Sequence, residues 1–224
     1  MNKNPLVEEK NYGIISRQKL IVFLKELFRK SIHMCSAFIP LFLKWNYVVT
    51  IVLLLCVLTL YIVSEILRLN KINIPVISTI TEAASRSRDK NRFVMGPVTL
   101  VIGITSCALL FDLHSSTIGI FALAFGDGLA SLTGRFLGRI KIPFTKGKTV
   151  CGSLTCFAAI FISCLIFLFC IKLNLSMNYF VFSLIIAATG AFVELLPLKD
   201  YDNLFIPLIV GGLSQLLFNL CTVA

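Results

Sequence analysis

Asp127 and Glu194 are acids set within long apolar stretches. An ionised carboxylate in such a stretch is expensive, so it normally faces a partner or a polar cavity. From Gly126 the chain reads Gly-Asp-Gly-Leu-Ala-Ser-Leu-Thr-Gly-Arg-Phe-Leu-Gly-Arg. On a helix, Asp127, Ser131, Arg135 and Arg139 fall at i, i+4, i+8 and i+12 and form one polar stripe. Gly126, Ala130, Gly134 and Gly138 form a small-residue stripe beside it, which lets a second helix approach closely. The plainer alternative is a glycine-packed helix whose Asp127 pairs with a neighbouring arginine.

The chain continues through Lys141-Ile-Pro-Phe-Thr-Lys-Gly-Lys-Thr-Val-Cys-Gly-Ser153. Gly147-Lys148-Thr149 mimics the end of a Walker A motif, but the required earlier glycine position is Ile142 and no strand precedes it, so a P-loop is excluded. What remains is a basic loop with hydroxyls and free N–H groups. Lys146, Gly147, Lys148, Thr149, Gly152 and Ser153 are of the types that hold phosphate. The alternative for this loop is contact with anionic lipid.

Glu194 is followed by Pro197, Asp200, Asp202, Asn203 and Pro207. Carboxylates opposite a lysine-rich loop suit Mg²⁺ bridging phosphates, since Mg²⁺ takes oxygen ligands and commonly one or two carboxylates. A solvated turn is the alternative for Asp200 and Asp202. Arg29, Lys30 and His33 form a smaller candidate group in which Arg29 and His33, at i and i+4, share a helix face. Glu65 and Arg68 form an i, i+3 pair. Interface anchoring or a surface salt bridge is the alternative for both groups. His114 falls near an outer turn and is expected to be solvated.

The elements that must position these residues follow from composition. Of 224 residues 57% are hydrophobic and 14% charged, and mean hydropathy is +0.90. Soluble domains are about 45–50% apolar and about 25% charged. Soluble, disordered and disulfide-scaffold classes are therefore excluded. The eight cysteines sit mostly in apolar runs without CxxC pairs and are expected to be small buried hydrophobes.

Seven apolar segments are expected to be helical, at 31–44, 47–67, 93–112, 116–136, 152–171, 179–197 and 203–222. They are too continuous for barrel strands, so the fold class is all-α, a polytopic transmembrane helical bundle. Residues 14–28 carry apolar residues at helical spacing and read as an amphipathic surface helix. The expected domains are an N-terminal segment, 1–28, and a transmembrane catalytic domain, 29–224. The first 30 residues do not read as a signal peptide.

With seven crossings, 19 Lys/Arg fall on one side and only Lys44 and Lys172 on the other. The positive-inside rule places the N-terminus in the cytoplasm and the C-terminus outside. Without the first span, the basic N-terminal region and the 68–92 loop would lie on opposite faces. The sizeable polar loops are then cytoplasmic, and so is any chemistry. The net charge of +10 is used at that face, not on nucleic acid, because no soluble portion is large enough to carry a reader. The absence of an obvious internal repeat argues against an inverted-repeat transporter.

From about Arg29 to Pro207 the pattern resembles the CTP-dependent lipid-alcohol kinases: the dolichol kinase, phytol kinase and yeast-type diacylglycerol kinase group, related to the phosphatidate cytidylyltransferases. The resemblance rests on Gly126-Asp127, Ala130-Ser131 and Gly134 with Gly147-Lys148-Thr149 and Gly152-Ser153. It continues in Glu194, Pro197, Asp202-Asn203 and Pro207, and in Arg29-Lys30 with His33. It departs at Cys151, where the family usually has Glu, and in the loop before the third span, where Asp89 is the nearest acidic match.

The resemblance implies a multi-pass membrane enzyme that transfers the γ-phosphate of CTP to a lipid alcohol such as diacylglycerol, polyprenol, dolichol or phytol. Asp127, Lys148 and Glu194 are the expected catalytic residues. Asp127, Glu194 and Asp202 are the expected Mg²⁺ ligands. Gly126, Ser131, Gly134, Arg135, Lys146, Gly147, Thr149, Gly152, Ser153 and Asn203 are expected around the nucleotide, and Arg29, Lys30, His33, Glu65 and Arg68 are further candidates. Asp127 and His33 are candidates for the proton acceptor. The alternatives are a cytidylyltransferase-type enzyme making a CDP-lipid, and a non-enzymatic transporter or scaffold. The compact loops favour a bacterial inner membrane over the endoplasmic reticulum, and the oligomeric state is left open.

Overall fold

The protein is described by a computed structural model that covers residues 23–72, 93–145, 147–172, 175 and 177–221. Asp89, Lys146 and most of the expected amphipathic helix lie outside the described residues.

All seven expected apolar segments are helical. The chain is helical over 23–35 (α1), bends through a 3₁₀ turn at Ser36–Phe38, and continues as α2, Ile39–Trp45, with Pro40 in its first turn. The remaining helices are α3 (Tyr47–Leu69), α4 (Met95–Leu110), α5 (Leu113–Phe121), α6 (Gly128–Phe136), α7 (Val150–Ile171), α8 (Tyr179–Leu195) and α9 (Asp202–Cys221). A π-helical turn, Ala122–Asp127, joins α5 to α6 into one 24-residue element, Leu113–Phe136.

The helix starts are written in side chains. Asn46 accepts from Val49 N, Asp112 from Ser115 N, Thr149 from Gly152 N and Asn178 from Phe180 N. Each satisfies a donor that the first helical turn would otherwise leave unpaired. Lys172 closes α7 in the left-handed region, at φ 50°.

Among the described residues four elements are long and apolar enough to cross a membrane: Tyr47–Leu69, Leu113–Phe136, Val150–Ile171 and Lys199–Cys221. Met95–Leu110 and Tyr179–Leu195 are shorter apolar helices. At 1.5 Å per residue, the 16-residue α4 reaches about 24 Å, less than the roughly 30 Å hydrocarbon core.

The Leu113–Phe136 element is central, with 61% of its most apolar window buried, against 11% for Tyr47–Leu69 at the periphery. Glycines set the closest approaches. A Cβ on Gly103 of α4 would lie 2.2 Å from the Asn203 carbonyl oxygen of α9. That carbonyl has no helical N–H to accept from, because residue 207 is proline.

Successive helices meet at two opposite ends. At one end Tyr47 Oη donates to Ala108 O at 2.9 Å, and Asp112 N donates to Gln215 Oε1 at 2.9 Å. At the other, Glu65 accepts from Val94 N at 2.8 Å, and Asn203 Nδ2 donates to Gly96 O at 3.1 Å. This second end carries the junctions between α3 and α4, α6 and α7, and α8 and α9; the first two are the basic loops, and the third holds Lys199 with Asp200 and Asp202.

Candidate functional site

The π-helical turn ends at Asp127, which it leaves in the middle of the bundle and only 7% exposed. Such insertions into helices are frequent at functional sites. Lys30 of α1 donates its Nζ to Asp127 Oδ2 at 2.6 Å, and His33 Nε2 lies 3.1 Å from the same oxygen. Both side chains are buried. They stand at i and i+3 on α1. Lys30 and His33 therefore meet on Asp127 while Arg29 does not, and of the three expected residues Arg29 and Lys30 line the cavity and His33 does not.

Arg29 turns instead to Glu26. Glu26 Oε1 pairs with Arg29, and Glu26 Oε2 accepts from Arg135 Nη1 at 3.0 Å. A buried carboxylate thus holds two guanidinium groups, one from α1 and one from the last turn of α6.

Lys148 is presented by a small hairpin. Lys141 bridges Thr149 in antiparallel sense, and Ile142 N donates to Lys148 O at 2.8 Å. Gly147 adopts φ +100°, which its lack of a side chain permits. Lys148 Nζ then lies 3.3 Å from Glu194 Oε1 at the end of α8 and 3.3 Å from Asp202 Oδ2 at the start of α9. Glu194 Oε2 and Asp202 Oδ1 are buried with no hydrogen-bond partner. An unpaired buried acceptor is costly, and each of the two carboxylates that share Lys148 keeps one, an oxygen of the type a hard cation takes.

The hairpin is pressed onto α6 by missing side chains. A Cβ on Gly152 would lie 2.9 Å from Ala130 O, and one on Gly134 would lie 2.9 Å from Thr149 Oγ1. The N-terminus of α7, with the partial positive charge of its helix dipole, is thereby brought to the same space, an arrangement suited to an anion.

That space is a cavity of about 420 Å³. Its walls include the expected Asp127, Ser131, Gly134, Arg135, Gly147, Lys148, Thr149, Gly152, Ser153, Glu194, Asp202 and Asn203, with Arg29 and Lys30. Residues up to 174 positions apart in sequence, Arg29 and Asn203, face one volume.

Other expectations are corrected. Gly126 does not line the cavity; a Cβ there would lie 2.7 Å from Ile160, so the glycine serves helix packing. Arg139 falls off the polar stripe because the helix ends at Phe136. Glu65 and Arg68 pair with each other at 2.7 Å and tie α3 to Val94, outside the cavity. The amide of Asn203 is used on Gly96 and Thr99 of α4. The three-carboxylate metal set is not assembled: among the described residues no group of three His, Cys, Asp or Glu converges. Asp127 is engaged by Lys30 and His33, while Glu194 and Asp202 share Lys148. The eight cysteines are all free.

Glu26, Thr145 and Lys199 were not singled out in the sequence. Glu26 alone left a signal, an acid at i−3 from Arg29 in a helical segment. Cys151, where the resembled family has Glu, sits in the first turn of α7 and is not part of the cavity wall.

No family model matches the chain, and no solved structure matches it. Among curated proteins, an uncharacterized protein of Methanocaldococcus jannaschii is 28% identical over 207 residues, covering 89% of this chain and 97% of that protein. The chloroplastic farnesol kinase of Arabidopsis thaliana is 32% identical over 149 residues, 61% of this chain and 47% of its own length. The chloroplastic phytol kinase 1 of the same plant is 29% identical over 150 residues, 62% and 49% respectively. The chain spans about half the length of these plant relatives. By sequence, then, this membrane helical bundle is a relative of the lipid-alcohol kinases named phytol kinase and farnesol kinase.

Proposed function

We propose that the chain is an integral membrane kinase that transfers the γ-phosphoryl group of CTP to the hydroxyl of a lipid alcohol. One observation carries this reading. Lys148 joins Glu194 and Asp202, each with an unpartnered oxygen, in a cavity that also holds Lys30, Arg29, Arg135 and the start of α7. Phosphoryl transfer needs positioning and charge stabilisation more than a strong nucleophile, and a mixed cluster of acids and bases provides both.

In this reading the triphosphate lies over the N-terminus of α7, with Lys148, Arg29 and Arg135 against its oxygens. Glu194 and Asp202 would hold Mg²⁺ through their unpartnered oxygens. When bound, Mg²⁺ neutralises phosphate charge and fixes the donor's geometry. Asp127, oriented by Lys30 and His33, accepts the proton of the lipid hydroxyl. The new oxygen–phosphorus bond forms as the bond to the departing CDP breaks. The alcohol enters from the cytoplasmic leaflet with its tail left in the bilayer.

CTP as donor is supported by the resemblance of the Gly126–Ser153 and Glu194–Pro207 motifs to CTP-using kinases. An isoprenoid alcohol as acceptor is supported by the names of the plant relatives. The test uses purified protein, Mg²⁺ and CTP labelled at the γ-phosphate or in the cytosine, with phytol, farnesol, polyprenol, diacylglycerol and phosphatidic acid offered separately. Label from the γ-phosphate on an alcohol, lost in Asp127→Asn, is the expected result. Cytosine label on lipid would replace this reading with that of a CDP-lipid synthase. No transfer to any lipid from folded, CTP-binding protein would overturn it.

A further inference from the structure

The loop between α6 and α7 carries three large apolar side chains that no helix uses. Leu137 and Ile140 are exposed, and Phe144 is 99% exposed. Lipid tails account for apolar exposure along a spanning helix. These three residues lie beyond the ends of two such elements, Leu113–Phe136 and Val150–Ile171.

The loop is nevertheless built. Besides the Lys141–Thr149 bridge, Val150 N donates to Ile140 O at 3.1 Å, and Thr145 Oγ1 donates to Ile142 O at 2.7 Å. At its tip Phe144 holds φ 65°, a left-handed conformation that is costly for a bulky residue. The next residue, Thr145, is buried and lines the cavity. Strain and exposure thus coincide on one phenyl ring, while its neighbour faces the site.

The charge of this loop has one sign. Arg139 and Lys141 are exposed in it, and residues 137–149 contain no Asp or Glu. Apolar tips among cations are the composition of a segment that lies in the headgroup layer of an anionic membrane. A second copy of the chain fits less well, because a symmetric contact would set these cations against their own copies.

We propose that the 137–149 hairpin is a membrane-surface wedge. Phe144, with Ile140 and Leu137, enters the headgroup layer of the leaflet on the cavity side, and Arg139 and Lys141 bind its anionic headgroups. The same hairpin carries Thr145 and Lys148 to the cavity, so its seat on the leaflet also fixes that wall. The proposal rests on the membrane-spanning fold and stands apart from the proposed chemistry.

The chain has one tryptophan, Trp45, so a reporter is readily isolated. Full-length Trp45→Phe/Phe144→Trp protein would be reconstituted in phosphatidylcholine vesicles with and without phosphatidylglycerol. Phe144 is almost wholly exposed, so the tryptophan disturbs no packing. The expected result is quenching by lipids brominated on the acyl chain, protection from aqueous iodide, and stronger lipid quenching with phosphatidylglycerol. Arg139→Glu/Lys141→Glu in this background should remove the dependence on phosphatidylglycerol. Full quenching by iodide with none by brominated lipid would overturn the wedge. Quenching by neither would also overturn it, and would indicate contact with a second copy.

Discussion

Lys30 and Asp127 are the pair whose removal separates structure from chemistry. Taking away one partner of a buried ion pair leaves an uncompensated charge and costs about 3–5 kcal/mol. Lys30→Met should therefore lower the thermal unfolding temperature in detergent and abolish phosphoryl transfer. Adding Asp127→Leu to that variant should restore much of the stability without any activity, because no charge is then left buried. If the double variant were no more stable than Lys30→Met, the 2.6 Å contact would not be the interaction that matters. His33 should depend on the same carboxylate, so Asp127→Leu also removes the reason for its burial.

Glu26 makes a second prediction at this scale. It holds Arg29 and Arg135 at the cavity. Glu26→Gln keeps the shape and removes the charge that fixes both guanidinium groups. KM for CTP should rise several-fold while kcat changes little, and Glu26→Asp should recover part of the loss. A fall in kcat with unchanged KM would instead place Glu26 in the chemical step. The sequence made Asp127 and Glu194 conspicuous because acids in apolar surroundings have few other uses. Glu26 lay among other charges and was inconspicuous; its importance comes from Arg135, 109 positions away.

Among the elements, the helices were legible because an apolar run of such length has few other structures available in lipid. Their exact facing was less so. Residues at i+3 and i+4 both lie near the same helix face, so periodicity admitted either Arg29 or Lys30 beside His33, and tertiary contact with Asp127 chose Lys30. The stripe drawn from Asp127 to Arg139 failed for a local reason. The helix stops at Phe136, and Gly138 folds back so that a Cβ would lie 2.2 Å from Gly134 O. The glycines read as phosphate-binding are used as much for packing. Gly152→Val should push α7 away from α6, since even a Cβ meets Ala130 O at 2.9 Å. Overpacking of this kind costs about 1–3 kcal/mol. The expected signature is a lower unfolding temperature together with weaker CTP binding, because Lys148 and Thr149 move with the start of α7. Gly126→Val should destabilise through Ile160 but leave the KM for CTP near its original value, since Gly126 lies off the cavity.

For the whole molecule, the charge asymmetry and the cavity belong to one end. The junctions between α3 and α4, α6 and α7, and α8 and α9 lie there, and Lys148, Glu194 and Asp202 meet at the latter two. At the opposite end the contacts are Tyr47 with Ala108 and Asp112 with Gln215. Cytoplasmic loops carry the excess of Lys and Arg, so the cavity should open toward the cytoplasm. A nucleotide supplied from outside a sealed cell membrane would then find no entrance. Inverted vesicles from expressing cells should transfer label from added γ-labelled CTP to an endogenous or supplied lipid alcohol. Right-side-out vesicles should do so only after permeabilisation. Equal activity in sealed vesicles of both orientations would mean that the basic end does not fix the orientation. Activity confined to right-side-out vesicles would invert the whole topology and place the 137–149 hairpin on the outer leaflet.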